Sequence, residues 1–277
     1  ASLRSTTQFK QLSVLQLIQA VAYPVFSITG AVFFGLPGFI VGQILTLAIT
    51  SLAAIPIPQV KWSPIVDRAL FKQLVFVGFP IMLVGVVHTI FTTVDRWVVA
   101  GYLGAESLGH YSLAIMALGA VGLLPQVISQ QFYPRMARTW AAEANPAALR
   151  SLATKQRWYT LAVVLPVVAV LAVLAPVVVR AFLPAYTPGI SALVVTMLVP
   201  LVTVVGAGYS AVLHVLNWQL WYLFAIIFAA IFNLGASLLL VRPFGLVGVA
   251  IGTMLAFLVL SLLRLLLGTI ALRRAEA

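Results

Sequence analysis

Apolar positions along this chain come in long, unbroken runs. They fill residues 11–31, 36–56, 73–94, 109–132, 159–181, 189–213, 219–241 and 246–266, with short polar segments between them. Each run is long enough to cross ~30 Å of hydrocarbon at about 1.5 Å per residue. The runs lack the apolar/polar alternation of a membrane strand, which needs only about 9–11 residues. The pattern therefore predicts an all-α integral membrane fold, a polytopic bundle of about eight transmembrane helices.

Basic residues supply the direction. Arg4, Lys10, Lys61, Arg68, Lys72, Arg135, Arg138, Arg150, Lys155, Arg157, Arg264, Arg273 and Arg274 fall on one side of the alternating spans, and Arg96, Arg180 and Arg242 on the other. Lys and Arg accumulate on cytoplasmic connections, so both ends of this chain are expected in the cytoplasm. The longest connection, RMARTWAAEANPAALRSLATKQRW (135–158), reads as a cytoplasmic loop. Trp62, Trp97, Tyr102, Tyr111, Tyr133, Trp158, Tyr159, Trp218, Trp221 and Tyr222 lie close to span ends, where interfacial anchoring is expected. Pro24, Pro80, Pro125, Pro166, Pro176 and Pro200 lie inside spans and favour bends.

Composition agrees with a lipid environment. Of 277 residues 63% are hydrophobic and 8% charged, against about 45–50% and about 25% in soluble domains. The formal charge of +11 sits in short clusters between apolar runs, which argues for topology signals rather than a nucleic-acid surface. No cysteine is present and the three histidines are scattered, so neither a metal nor a cofactor is expected. There is no GxxxxGK[ST] loop, no GxSxG elbow and no HExxH, and only five residues are acidic. Nothing here supports an enzyme.

Polar residues inside spans are the candidates for function. On a helix His88, Thr92 and Asp95 share one face at i, i+4 and i+7, with Thr89, Thr93 and Arg96 in the adjoining stripe. A carboxylate at a helix centre costs roughly 2.5–3.5 kcal/mol on insertion scales, so it normally faces a wet cavity or a partner. Asp95 and His88 are thus expected to line a substrate pathway and to take up a coupling ion. The plainer reading makes Asp95 and Arg96 markers of the outer interface. Gln126 and Gln130, with Ser129 and Tyr133, form a second stripe suited to sugar hydroxyls or to inter-helix hydrogen bonds. Asn233 reads as a packing residue, and Arg180 as either a phosphate attractor or an interfacial arginine.

The segments GFPIMLVGVVHTIFTTVDRWVVAGYLGAESLGHYSLA and LPQVISQQFYPRMAR carry Gly78, Pro80, Asp95, Arg96, Leu103, Gly104, Leu108, Gly109, Tyr111, Pro134 and Arg135 in a telling order. That order resembles the multidrug/oligosaccharidyl-lipid/polysaccharide exporter superfamily, and most closely its polysaccharide-biosynthesis (O-antigen type) flippases. The resemblance implies two six-helix lobes. Residues 1–60 would be the last two helices of the first lobe, 61–72 a cytoplasmic inter-lobe linker, and 73–277 the second lobe. It also implies that the chain lacks the upstream helices of the family.

The activity so implied is the flipping of an undecaprenyl-diphosphate-linked oligosaccharide to the outer leaflet of the inner (plasma) membrane, by alternating access coupled to H+ or Na+. The pathway residues would be His88, Thr92, Asp95, Arg96, Gln126, Gln130 and Arg180, with Asp95 and His88 coupling the ion. Two alternatives stand beside it: a multidrug exporter of the same superfamily, which favours an acidic cavity, and a membrane-embedded polysaccharide polymerase or glycosyltransferase, which needs a large outer loop.

Overall fold

The computed structural model describes residues 9–54 and 68–276, and these residues are almost wholly helical. They fall into two compact units, Ala1–Arg68 and Ala69–Ala277. Among the described residues five helices are long and apolar enough to cross a membrane. Three of these reverse at a glycine, at Gly35, Gly104 and Gly245, where φ is 63°, 83° and 55°. Each of these three helices thereby forms two antiparallel arms.

The first unit contains α1 (Phe9–Ala54). At Gly35 the backbone takes φ 63° and ψ −143°, a region closed to other residues, so the helix folds back on itself there. The two arms meet backbone to backbone: a Cβ on Gly38 would overlap the Gly30 carbonyl, and one on Gly42 the Phe26 carbonyl. Glycines permit this close approach, which supplies van der Waals contact where lipid offers no hydrophobic driving force. Phe33 and Phe34, at the turn, are 73% and 75% exposed, a surface that suits hydrocarbon rather than water.

The second unit contains α2 (Arg68–Phe91), α3 (Val94–Glu143), α4 (Pro146–Phe182), α5 (Ile190–Met197), α6 (Val199–Thr203), α7 (Tyr209–Val215) and α8 (Gln219–Glu276). Helices α3 and α8 are hairpins like α1, turning at Gly104 and Gly245. In α8 a Cβ on Gly248 would overlap the Leu240 carbonyl, so its arms also touch through backbone. The span expected at 189–213 is broken into α5, α6 and α7. Pro200 opens α6, and Gly208 turns the chain into α7 with φ 86° while lying against the Ala153 backbone.

Two expectations need correction. The connection at 135–158 is not a loop: α3 and α4 extend through it and join at Ala144 and Asn145. Asn145 caps α4 by accepting from the amides of Ala147 and Ala148 at 3.0 and 3.3 Å, and Pro146 begins the helix. Tyr111 and Tyr222 are not interfacial anchors, being only 0% and 6% exposed. Trp97, Tyr102, Tyr133, Trp158, Tyr159 and Trp221 are exposed, as anchors would be. Helices α1, α3 and α4 continue through Pro24, Pro125, Pro166 and Pro176, while Pro200 stands at the break that opens α6. The expected linker at 61–72 and Trp62 lie outside the described residues as far as Asp67, after which α2 begins.

Candidate functional site

Between α2 and α3 the helical ladder tightens at Thr92 and Thr93. The Thr93 amide donates to the Ile90 carbonyl three residues back, at 3.0 Å. The threonine hydroxyls turn onto their own backbone, Thr92 and Thr93 to the Thr89 carbonyl at 3.0 and 2.7 Å, and Thr89 to Gly85 at 3.0 Å. The threonines of the expected polar sector are therefore satisfied within their own helix. Asn233 braces the junction from α8: its Nδ2 donates to the Phe91 carbonyl at 3.3 Å, and Ser237 donates to its Oδ1 at 3.1 Å.

Asp95 lies in the first turn of α3, where the helix dipole favours negative charge. It is 3% exposed, and it is the one buried acid among the described residues. Its Oδ1 accepts from the Arg96 amide at 2.9 Å and its Oδ2 from the Tyr111 hydroxyl at 3.0 Å. The turn at Gly104 makes the second bond, because it returns the chain so that Tyr111 stands opposite Asp95. Valines 94, 98, 99 and 249, with Ala114 and Leu193, close the surroundings. Thr196 and Thr253 neighbour the Tyr111 hydroxyl, and Thr253 Oγ1 is buried without a hydrogen-bond partner.

His88 does not share this pocket. It stands one turn before the junction, 6.1 Å from the Phe91 ring and within electrostatic reach of Arg264. Arg96 is half-buried, its Nε without a partner. Gln126 and Gln130 are exposed on α3, and Arg180 is exposed in the last turn of α4. The second unit thus brings Asp95 and Arg96 together, with Thr92 at the junction before them, and leaves His88, Gln126, Gln130 and Arg180 apart.

Two groups escaped the sequence reading. Tyr111 was hidden by its position near a span end, although Gly104 between two apolar arms signals a hairpin that would set it opposite Asp95. The other group joins Arg264, Tyr222, His214 and His88 from three elements, and no local spacing reveals it. No group of three His, Cys, Asp or Glu side chains suited to a metal occurs among the described residues.

This architecture, all-helical, hairpin-rich and apolar on its outer face, is that of a multi-pass membrane protein. It is similar to a multidrug resistance MATE family transporter of the MOP superfamily in an outward-facing conformation, with TM-score 0.79 and 20% identity, covering 99% of this chain and 65% of that one. A Vibrio cholerae MATE transporter matches with TM-score 0.80, 15% identity and coverage of 98% and 64%. A MOP superfamily transporter from Pyrococcus furiosus matches with TM-score 0.77, 19% identity and coverage of 96% and 62%. The chain thus spans less than two thirds of the length of these structures. No curated protein matches the sequence. Residues 1–186 match the family described as "Polysaccharide biosynthesis protein". The chain belongs to that family, and with it to the multidrug/oligosaccharidyl-lipid/polysaccharide exporter superfamily.

Proposed function

We propose that this chain is the greater part of a flippase that carries undecaprenyl-diphosphate-linked oligosaccharide from the cytoplasmic to the outer leaflet of the plasma membrane by alternating access. The observation that carries the reading is the polysaccharide-biosynthesis family match over residues 1–186. The charge pattern supports it: a net +11 with one buried acid among the described residues suits an anionic lipid-linked substrate better than a cationic drug. On this reading 1–60 ends the first lobe, 61–72 links the lobes in the cytoplasm, 73–277 is the second lobe, and both ends of the chain are cytoplasmic.

Asp95 is the residue we assign to coupling with H+ or Na+. A carboxylate held by one amide and one phenol can exchange its proton or accept a cation while the fold keeps its place. Arg96 lies beside it, and Thr92, at the junction of α2 and α3, and His88, one turn earlier on α2, are assigned to the same pathway. Gln126, Gln130 and Arg180 are assigned to the pathway through their exposure, which leaves their side chains available to sugar and phosphate.

The likeness of fold to MATE transporters favours a second reading, multidrug export. One experiment separates the two. The full-length gene and its Asp95→Asn variant are expressed in a host lacking its own polysaccharide flippase, and surface glycan and accumulated lipid-linked precursor are scored. Flippase activity predicts that the parent restores glycan and that the variant, present in the membrane, does not. Drug resistance gained without glycan restored would replace this reading with the second.

A further inference from the structure

Arg264 stands in the second arm of α8 with no acid paired to it among the described residues. The one ion pair among the described residues is Arg150 with Glu276, 3.1 Å apart and about half exposed. Arg264 instead turns to Tyr222 on the first arm of the same helix. Its Nη2 donates to the Tyr222 hydroxyl at 2.8 Å, its guanidinium carbon lies 5.3 Å from that ring's centre, and its Nε is buried without a partner. The His214 ring of α7 meets Tyr222 edge-on at 5.4 Å, and both His214 and His88 of α2 lie within electrostatic reach of the guanidinium. Val84, Phe91, Leu213, Ile226 and Phe257 form the surrounding apolar core.

A snorkelling arginine points its charge to water. This one is half-buried and held inward by a phenol, the arrangement of a donor kept in position for an acceptor. A guanidinium offers five N–H donors in a planar fork that fits two oxygens of one phosphate, and one hydroxyl uses a single donor. The His214 imidazole adds an N–H donor beside the Tyr222 ring, and among the described residues no carboxylate pairs with the guanidinium.

We propose that Arg264, clamped by Tyr222 beside the His214 ring, is a binding site for a phosphate group. The diphosphate of the lipid-linked glycan is its ligand, an identity that rests on the function proposed above. The site lies apart from Asp95, in a separate apolar cluster. Substrate binding and ion coupling are then assigned to different residues of one unit.

The test uses the full-length protein in phosphatidylcholine nanodiscs, titrated with undecaprenyl diphosphate and, as control, undecaprenol. The parent should bind the diphosphate and not the alcohol. Arg264→Gln should weaken binding by about tenfold or more, the loss expected for a charge-assisted bidentate contact. Tyr222→Phe, which frees the guanidinium but keeps its charge, should weaken it by a few-fold, and Arg264→Lys should retain part of it. Thermal unfolding of each variant shows whether it remains folded. Diphosphate binding by folded Arg264→Gln equal to the parent's would overturn the inference. Full competition by phosphatidylglycerol at equal mole fraction would keep the phosphate site but make a lipid headgroup its occupant. If the parent restores surface glycan yet Arg264→Gln binds normally, this site fails and the flippase reading stands; the reverse pair of results removes the reading and keeps the site.

Discussion

A carboxylate packed among valines is stable only when its oxygens are bonded, and both oxygens of Asp95 are, one by the Arg96 amide and one by Tyr111. Tyr111→Phe removes the second bond and leaves a buried acceptor short of a partner. It is expected to cost about 1–3 kcal/mol, visible as a lower midpoint of thermal unfolding in detergent. Asp95→Asn keeps an oxygen for the same hydroxyl, so it should unfold close to the parent temperature while losing transport. An Asp95→Asn protein that fails to fold would mean that the charge itself is structural. The sequence singled out Asp95 because an acid in an apolar run is costly. Its partner was not legible, since nothing in the chain near Tyr111 tells a buried phenol from an interfacial one. Asn233 was legible as a packing residue, but its acceptor, the Phe91 carbonyl, lies 142 positions away.

Among the elements, the apolar runs were readable because length and hydropathy alone decide whether a segment can lie in lipid. The hairpins were less so. Gly245 takes φ 55° and ψ −132°, and no atom lies where its Cβ would stand, so Gly245→Ala tests backbone strain alone. That substitution should cost about 1–3 kcal/mol, measured as a fall in unfolding temperature, with α8 still helical by circular dichroism. An unchanged midpoint would mean that the turn tolerates a side chain. The reading of 135–158 as a loop failed for a physical reason: charge excludes a segment from hydrocarbon, but it does not stop a helix from continuing into water. The Asn-Pro pair at 145–146 carried the correct signal, a cap followed by a proline in the first helical turn.

For the whole molecule, topology is the first quantity to measure, because the chain has no native cysteine to confuse labelling. Ala144 and Thr187 are both exposed, at opposite ends of α4 and its following turn. The charge distribution predicts that Ala144 is inside and Thr187 outside. Thr187→Cys should therefore react with a membrane-impermeant maleimide added to intact cells, and Ala144→Cys only after permeabilisation. The reversed pattern would invert the orientation and with it the direction of transport. The expectation of two lobes rests on resemblance alone, since hydropathy counts spans but does not group them.

The central claim is that the protein moves a lipid-linked glycan across a bilayer, and the most direct measurement is translocation by the purified full-length protein. Vesicles carrying lipid-linked oligosaccharide are formed with and without protein, and the glycan reachable by an added glycosidase is followed over time. The account predicts that protein raises the reachable fraction above the outer-leaflet share, that an ion gradient speeds the rise, and that Asp95→Asn abolishes it. Vesicles that accumulate a cationic dye while their glycan stays inaccessible would contradict it.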